Sequence, residues 1–107
     1  MRRPAALLAV AALVATPPIL ARAGRTLEVT QEHRRFSVDT LTVGRGDIVR
    51  FVNADEFLHQ IYVKALGFST TGGEEPGQHV DIAFPTAGTF EVRCEIHPKM
   101  LLTVTVQ

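Results

Sequence analysis

Cysteine is nearly missing from this sequence. Cys94 is the only one in 107 residues. A single thiol closes no disulfide within the chain, and in an oxidising compartment it needs burial, a partner or a ligand to protect it. A long apolar run is also missing. The longest, Ala5 to Ala15, has 11 residues, against roughly 20 for a bilayer span. There is no excess of charge either: 11 basic residues balance 11 acidic ones. Without a basic stripe, nucleic acid is excluded as a partner. The chain also shows no helical stripe, internal repeat or low-complexity segment, which leaves all-β architecture as the simplest class.

What is present begins with an export signal. Arg2 and Arg3 precede the apolar run, Pro17 and Pro18 end it, and Ala21-Arg22-Ala23 forms a small-x-small cleavage site. Residues 1–23 are therefore expected to be a signal peptide that directs the chain to the periplasm, with no membrane span after cleavage. The alternatives are an uncleaved tether and, from the arginine pair, a twin-arginine signal. Loss of Arg2, Arg3 and Arg22 leaves eight basic against 11 acidic residues, a net charge of −3 over residues 24–107. These 84 residues are expected to form a single domain. A chain of that size hides only about 60–65% of its unfolded surface, so a metal bound to the native state would add useful stability.

Alternation with a period of two runs through this domain. Leu27 and Val29 alternate with Glu28 and Thr30, and Leu41 and Val43 lead to the tight turn Gly44-Arg45-Gly46-Asp47. Ile48 to Val52 is a β-branched run expected to be covered on both faces. His59, Ile61 and Val63 share one phase, as do Val80, Ile82 and Phe84, then Phe90, Val92 and Cys94, and finally Leu102, Val104 and Val106. The Gly72–Gly77 stretch and Pro85–Gly88 read as loops, and Ala65–Thr71 has room for one helical turn. Short strands at this spacing predict an all-β sandwich or barrel of seven to eight strands. Cys94 and His59 then enter the interior at one end of it, with His97 in the following loop and Met100 just before the last strand. His33 and His79 are expected on the solvated surface.

Taken singly, each of these residues has an ordinary reading: a buried cysteine, a core histidine, a methionine filler. Taken together, two imidazoles, one thiolate and one thioether suit one copper ion cycling between Cu(I) and Cu(II). Zinc sites usually take cysteine or histidine at every position. Other readings are a copper carrier using the same ligands, an enzyme with Cys94 as nucleophile and His97 as base, and a metal-free binding module. The carrier is the main alternative, although one internal methionine is few for delivery of Cu(I). No substrate cleft or orienting third group is legible for the enzyme, so the chain is read as a non-enzyme.

Cys94-Glu95-Ile96-His97-Pro98-Lys99-Met100 resembles the Cys-x-x-His-x-x-Met ligand loop of the short-loop cupredoxins, small type 1 blue copper proteins. Phe36-Ser37, Leu41 to Asp47, Val49 to Asn53 and Phe84 to Phe90 are similar to the segments that frame such a loop, so the resemblance covers nearly all of residues 26–106. It implies a Greek-key β-sandwich of the cupredoxin type. His59, Cys94 and His97 would form a trigonal plane, with Met100 as a long axial ligand. It further implies a soluble, monomeric one-electron shuttle, with His97 as the electron port in an apolar patch. Its partners would be redox proteins such as a periplasmic dehydrogenase or a c-type cytochrome. A dinuclear copper site would need a second cysteine in the loop, and position 98 is proline. Pro98 has no N–H to donate toward the Cys94 sulfur. Gln60 stands where the resemblance expects asparagine tying the ligand loops, and Glu95 where a small hydroxyl residue is common.

Overall fold

A computed structural model of the protein describes residues 24–107. The signal-peptide reading of residues 1–23 lies outside the described residues. Nine strands follow one another: β1 (Thr26–Glu32), β2 (Arg35–Phe36), β3 (Thr40–Val43), β4 (Ile48–Asn53), β5 (Ile61–Val63), β6 (Phe68–Ser69), β7 (His79–Ala83), β8 (Gly88–Cys94) and β9 (Leu101–Val106). The count exceeds the expected seven to eight because β2 and β6 are two-residue strands, too short to show alternation. A single 3-10 turn, Lys64–Leu66, falls within one residue of the helical turn read from the sequence. None of the described helices is long and apolar enough to cross a membrane.

The strands form two sheets, ordered β2-β1-β4-β7 and β3-β9-β8-β5-β6. β1 pairs with β4, and β3 with β9, in parallel, while the other pairings are antiparallel. Each inner face takes the buried phase of its alternation. Val29, Val49, Phe51 and Ile82 come from the first sheet. Ile61, Val63, Phe90, Val92, Leu102 and Val104 come from the second. Burying a residue of this kind contributes about 1.5–3 kcal/mol, so the sandwich is held by the phase the sequence displays. β4 departs from its expectation. Val49, Phe51 and Asn53 are fully buried, but Ile48, Arg50 and Val52 are only half covered. On that outer face Arg50 donates two hydrogen bonds to Asp81 of β7, at 2.9 and 3.0 Å, so a polar pair lies over part of the strand.

Both ends of the described chain are fixed at one pole. The Arg25 N–H and guanidinium donate to Asp47, at 2.9 and 3.2 Å, and Asp47 also accepts the Gly44 N–H at 2.7 Å. The Arg45 N–H donates to the Gln107 carbonyl. The loops after β4 and β8 lie at the opposite pole, where His59 and Cys94 are found.

Candidate metal centre

Strand register brings the first two donors together. β5 and β8 run antiparallel with Ile61 opposite Cys94. His59, two residues before Ile61 on the same phase, therefore reaches past the end of β8 toward the thiol. His59 is completely buried and Cys94 is 1% exposed. A one-residue bridge fixes the His59 backbone: its N–H donates to the Glu74 carbonyl at 3.1 Å, and the Glu74 N–H returns a bond at 2.6 Å. The preceding Gly73 has φ +78, and a Cβ there would lie 2.7 Å from the His59 carbonyl oxygen, so only glycine fits. Asn53 at the end of β4 donates to the carbonyls of Phe57 and Glu74, both at 2.8 Å, and accepts the Asp55 N–H at 2.9 Å. That one buried amide thus ties the loop carrying His59 to the segment it bridges.

His97 completes a triangle. Its Nδ1 lies 3.3 Å from His59 Nδ1 and 3.8 Å from Cys94 Sγ, and the third side, His59 Nδ1 to Cys94 Sγ, is 3.7 Å. Metal bonds of about 2.0 Å to imidazole nitrogen and about 2.3 Å to thiolate set trigonal donors about 3.5 Å apart (N to N) and about 3.7 Å apart (N to S). The observed spacing fits one small cation, and a thiolate with two imidazoles is a copper-type donor set. Met100 is buried at 2% exposure, and its N–H donates to the His97 carbonyl at 2.9 Å, closing the turn between β8 and β9. His97 is half-buried. Burial, followed by the neighbouring His59 and Arg34 charges, holds its imidazole below the ordinary value, which favours the neutral, lone-pair-bearing form. His33 and His79 are exposed, as expected.

Several residues that the sequence reading did not assign hold this triangle. Asp55 Oδ2 lies 3.0 Å from His59 Nε2 and accepts the Arg34 N–H at 2.8 Å, while Oδ1 accepts the Glu56 N–H at 3.0 Å. Burial acts to raise the Asp55 pKa, but the bonds from Arg34, His59 and Glu56 outweigh it and bring it down to about 2. The carboxylate is therefore ionised at neutral pH. It holds the proton of His59 on Nε2 and leaves Nδ1 free as a donor. The Gln60 N–H points at Cys94 Sγ at 3.3 Å, and Gln60 accepts the Glu95 N–H at 2.8 Å. The two ligand loops are thus tied through backbone at Gln60 and Glu95, the positions where the sequence departs from the resemblance. The sulfur finds its N–H donor at Gln60, which Pro98 could not supply. Asp55 stands four residues before His59 in a loop, where alternation assigns no phase, so that spacing was its only signal.

A model of the cupredoxin-like domain matches residues 4–106. No curated protein matches the chain. Among solved structures, the chain is similar to a mutant of amicyanin in its Cu(I) form: 25% identity, TM-score 0.70, covering 79% of this chain and 85% of that one. It is also similar to a copper-containing nitrite reductase from Thermus scotoductus SA-01, with 25% identity and a TM-score of 0.68 over 77% of this chain, but it spans only 22% of that enzyme's chain. A purple cupredoxin from Nitrosopumilus maritimus shares the fold at 19% identity and a TM-score of 0.68, over 76% of this chain and 99% of that one. An all-β fold of two sheets, a Cys/His/His triangle at one pole and a family model spanning nearly the whole sequence agree: the chain belongs to the cupredoxin-like domain family.

Proposed function

We propose that the protein is a mononuclear type 1 copper protein that shuttles single electrons between periplasmic redox partners. His59, Cys94, His97 and Met100 are its copper ligands in this reading. The observation that carries it is the triangle of His59 Nδ1, Cys94 Sγ and His97 Nδ1, with sides of 3.3 to 3.8 Å at a buried pole. Copper bound there would supply a one-electron couple. The chain's own residues hold the donors still. Asp55 orients His59, the Gln60 N–H stabilises the Cys94 thiolate, and the Met100 N–H fixes the turn that carries His97. A frame of this kind limits rearrangement between oxidation states, which favours fast exchange over delivery of the metal. Half-buried His97 offers the shortest way out for an electron, whereas buried Cys94 has no open side for a substrate. Electron donors and acceptors would be proteins such as a dehydrogenase or a c-type cytochrome, met by a monomer freed of residues 1–23.

The visible spectrum of the oxidised, copper-loaded protein tests the reading. An intense band from thiolate bound to Cu(II), lost on reduction and absent in Cys94→Ser, is expected. Full colour in Cys94→Ser would overturn the ligand assignment. Loss of copper to a weak chelator within minutes would favour the carrier reading. Sequencing the N-terminus of the exported product checks cleavage after Ala23.

A further inference from the structure

The exposed edge of His97 opens on a groove of about 310 Å³ lined by Arg34, Ile96, His97, Pro98 and Lys99. No carboxylate lines it, although residues 24–107 carry eight basic against 11 acidic residues. The groove therefore runs against the balance of the domain. Its floor is apolar: Ile96 is 44% exposed, an area that favours covering by another surface.

Arg34 is held in place before any partner arrives. β1 and β2 pair Glu32 with Arg35, so His33 and Arg34 alone make the turn. Both have left-handed backbone, φ 55 and 57, as a two-residue hairpin of the primed type requires. The Arg34 N–H is bound by Asp55 Oδ2 at 2.8 Å. Its guanidinium carbon stands 4.3 Å over the Phe57 ring, and Phe57 meets His97 edge-on at 6.3 Å between centroids. A planar guanidinium suits a carboxylate because two parallel N–H bonds match its oxygens. One already stacked loses less freedom on binding. Glu32, Asp55 and Glu56 line a neighbouring cavity that Arg34 and Phe57 also border.

We propose that Arg34 and Lys99 form a docking seat for the carboxylates of an acidic redox protein, set against the apolar floor beside His97. Its purpose rests on the electron-carrier reading, but its geometry does not. The test titrates the isotopically labelled, Cu(I)-loaded protein with an acidic cytochrome c and, separately, with a basic one, following backbone amides by NMR. With the acidic cytochrome, the amides of Arg34, Ile96, His97 and Lys99 should shift, and affinity should fall as salt is added. Arg34→Gln, which retains part of the stem over Phe57, should weaken binding about ten-fold at low ionic strength. Arg34→Lys should restore part of the loss, and Arg45→Gln at the far pole should change nothing. The proposal is overturned if those amides do not move, if salt strengthens binding, if Arg34→Gln binds as tightly as the parent, or if the basic cytochrome moves the same amides more. A chain that takes up no copper would sink the electron-carrier reading instead, while docking would still be read from the metal-free protein.

Discussion

Replacing Asp55 with asparagine separates the charge of this residue from its shape. The carboxylate accepts three hydrogen bonds: Arg34 N–H and His59 Nε2 on Oδ2, and Glu56 N–H on Oδ1. Asparagine has one acceptor oxygen. If that oxygen keeps Arg34 and His59, the new amide NH2 faces the Glu56 N–H, and one bond to a charged group is lost, worth about 2 kcal/mol. In a domain of this size that corresponds to a fall of about 10 °C in Tm. The charge would also be felt by a copper ion held at His59. The carboxylate lies one imidazole ring from the donor atom. At about 7 Å and an effective dielectric of about 20, a unit charge is worth about 2.4 kcal/mol, or ~100 mV for a one-electron couple. A negative charge favours the more positive oxidised state, so Asp55→Asn should raise the potential by up to ~100 mV. Voltammetry on the copper-loaded protein reads the shift, and thermal unfolding followed by circular dichroism reads the stability. Nitrogen NMR of the metal-free protein should show His59 passing from a single Nε2–H tautomer to a mixture. A potential that falls or does not move, in a variant that still folds and binds copper, would refute the electrostatic role of Asp55.

Two further outcomes follow from the backbone and from the far pole. Gly73→Ala puts a Cβ 2.7 Å from the His59 carbonyl at φ +78. It should destabilise the protein by about 2 kcal/mol or more and loosen copper retention, read by urea midpoints and chelator competition; unchanged midpoints would mean that the bridge tolerates displacement. Asp47 has its pKa lowered to about 2, chiefly by the Gly44 N–H bond, then by the Arg25 N–H, with burial opposing and the Arg25 side chain assisting. A carboxylate depressed in the folded state adds stability that is complete above its unfolded value of about 3.9. That stability is lost as pH falls toward 2, so the gap in urea midpoint between the parent and Asp47→Asn should be constant above about pH 5 and shrink below pH 4. A gap independent of pH would refute it.

The parts of the fold legible in the sequence were those where side chains alternate over four residues or more. Phe90, Val92 and Cys94 gave the inward phase of β8, and His59, Ile61 and Val63 that of β5. β2 and β6 were hidden because two residues carry no period. Half of β4 was misjudged because a β-branched run looks the same whether its outer face is covered by protein or by an Arg50–Asp81 pair. At the pole, Cys94 and His97 were legible from their spacing, and the approach of Cys94 to His59 followed from phase. Asp55 and Arg34 were not, since their places are set by a left-handed turn and a loop. The bonds that replace the expected asparagine come from the backbone of Gln60, which every non-proline residue could offer, so the side chain there gave no sign of them.

Arg25 and Gln107 are both fastened to the Gly44–Asp47 turn, at the end of the sandwich remote from His97. Coupling through either end of residues 24–107, to an electrode, a bead or a fused neighbour, therefore leaves the histidine facing outward. An immobilised film made this way would present the His97 pole toward the solution.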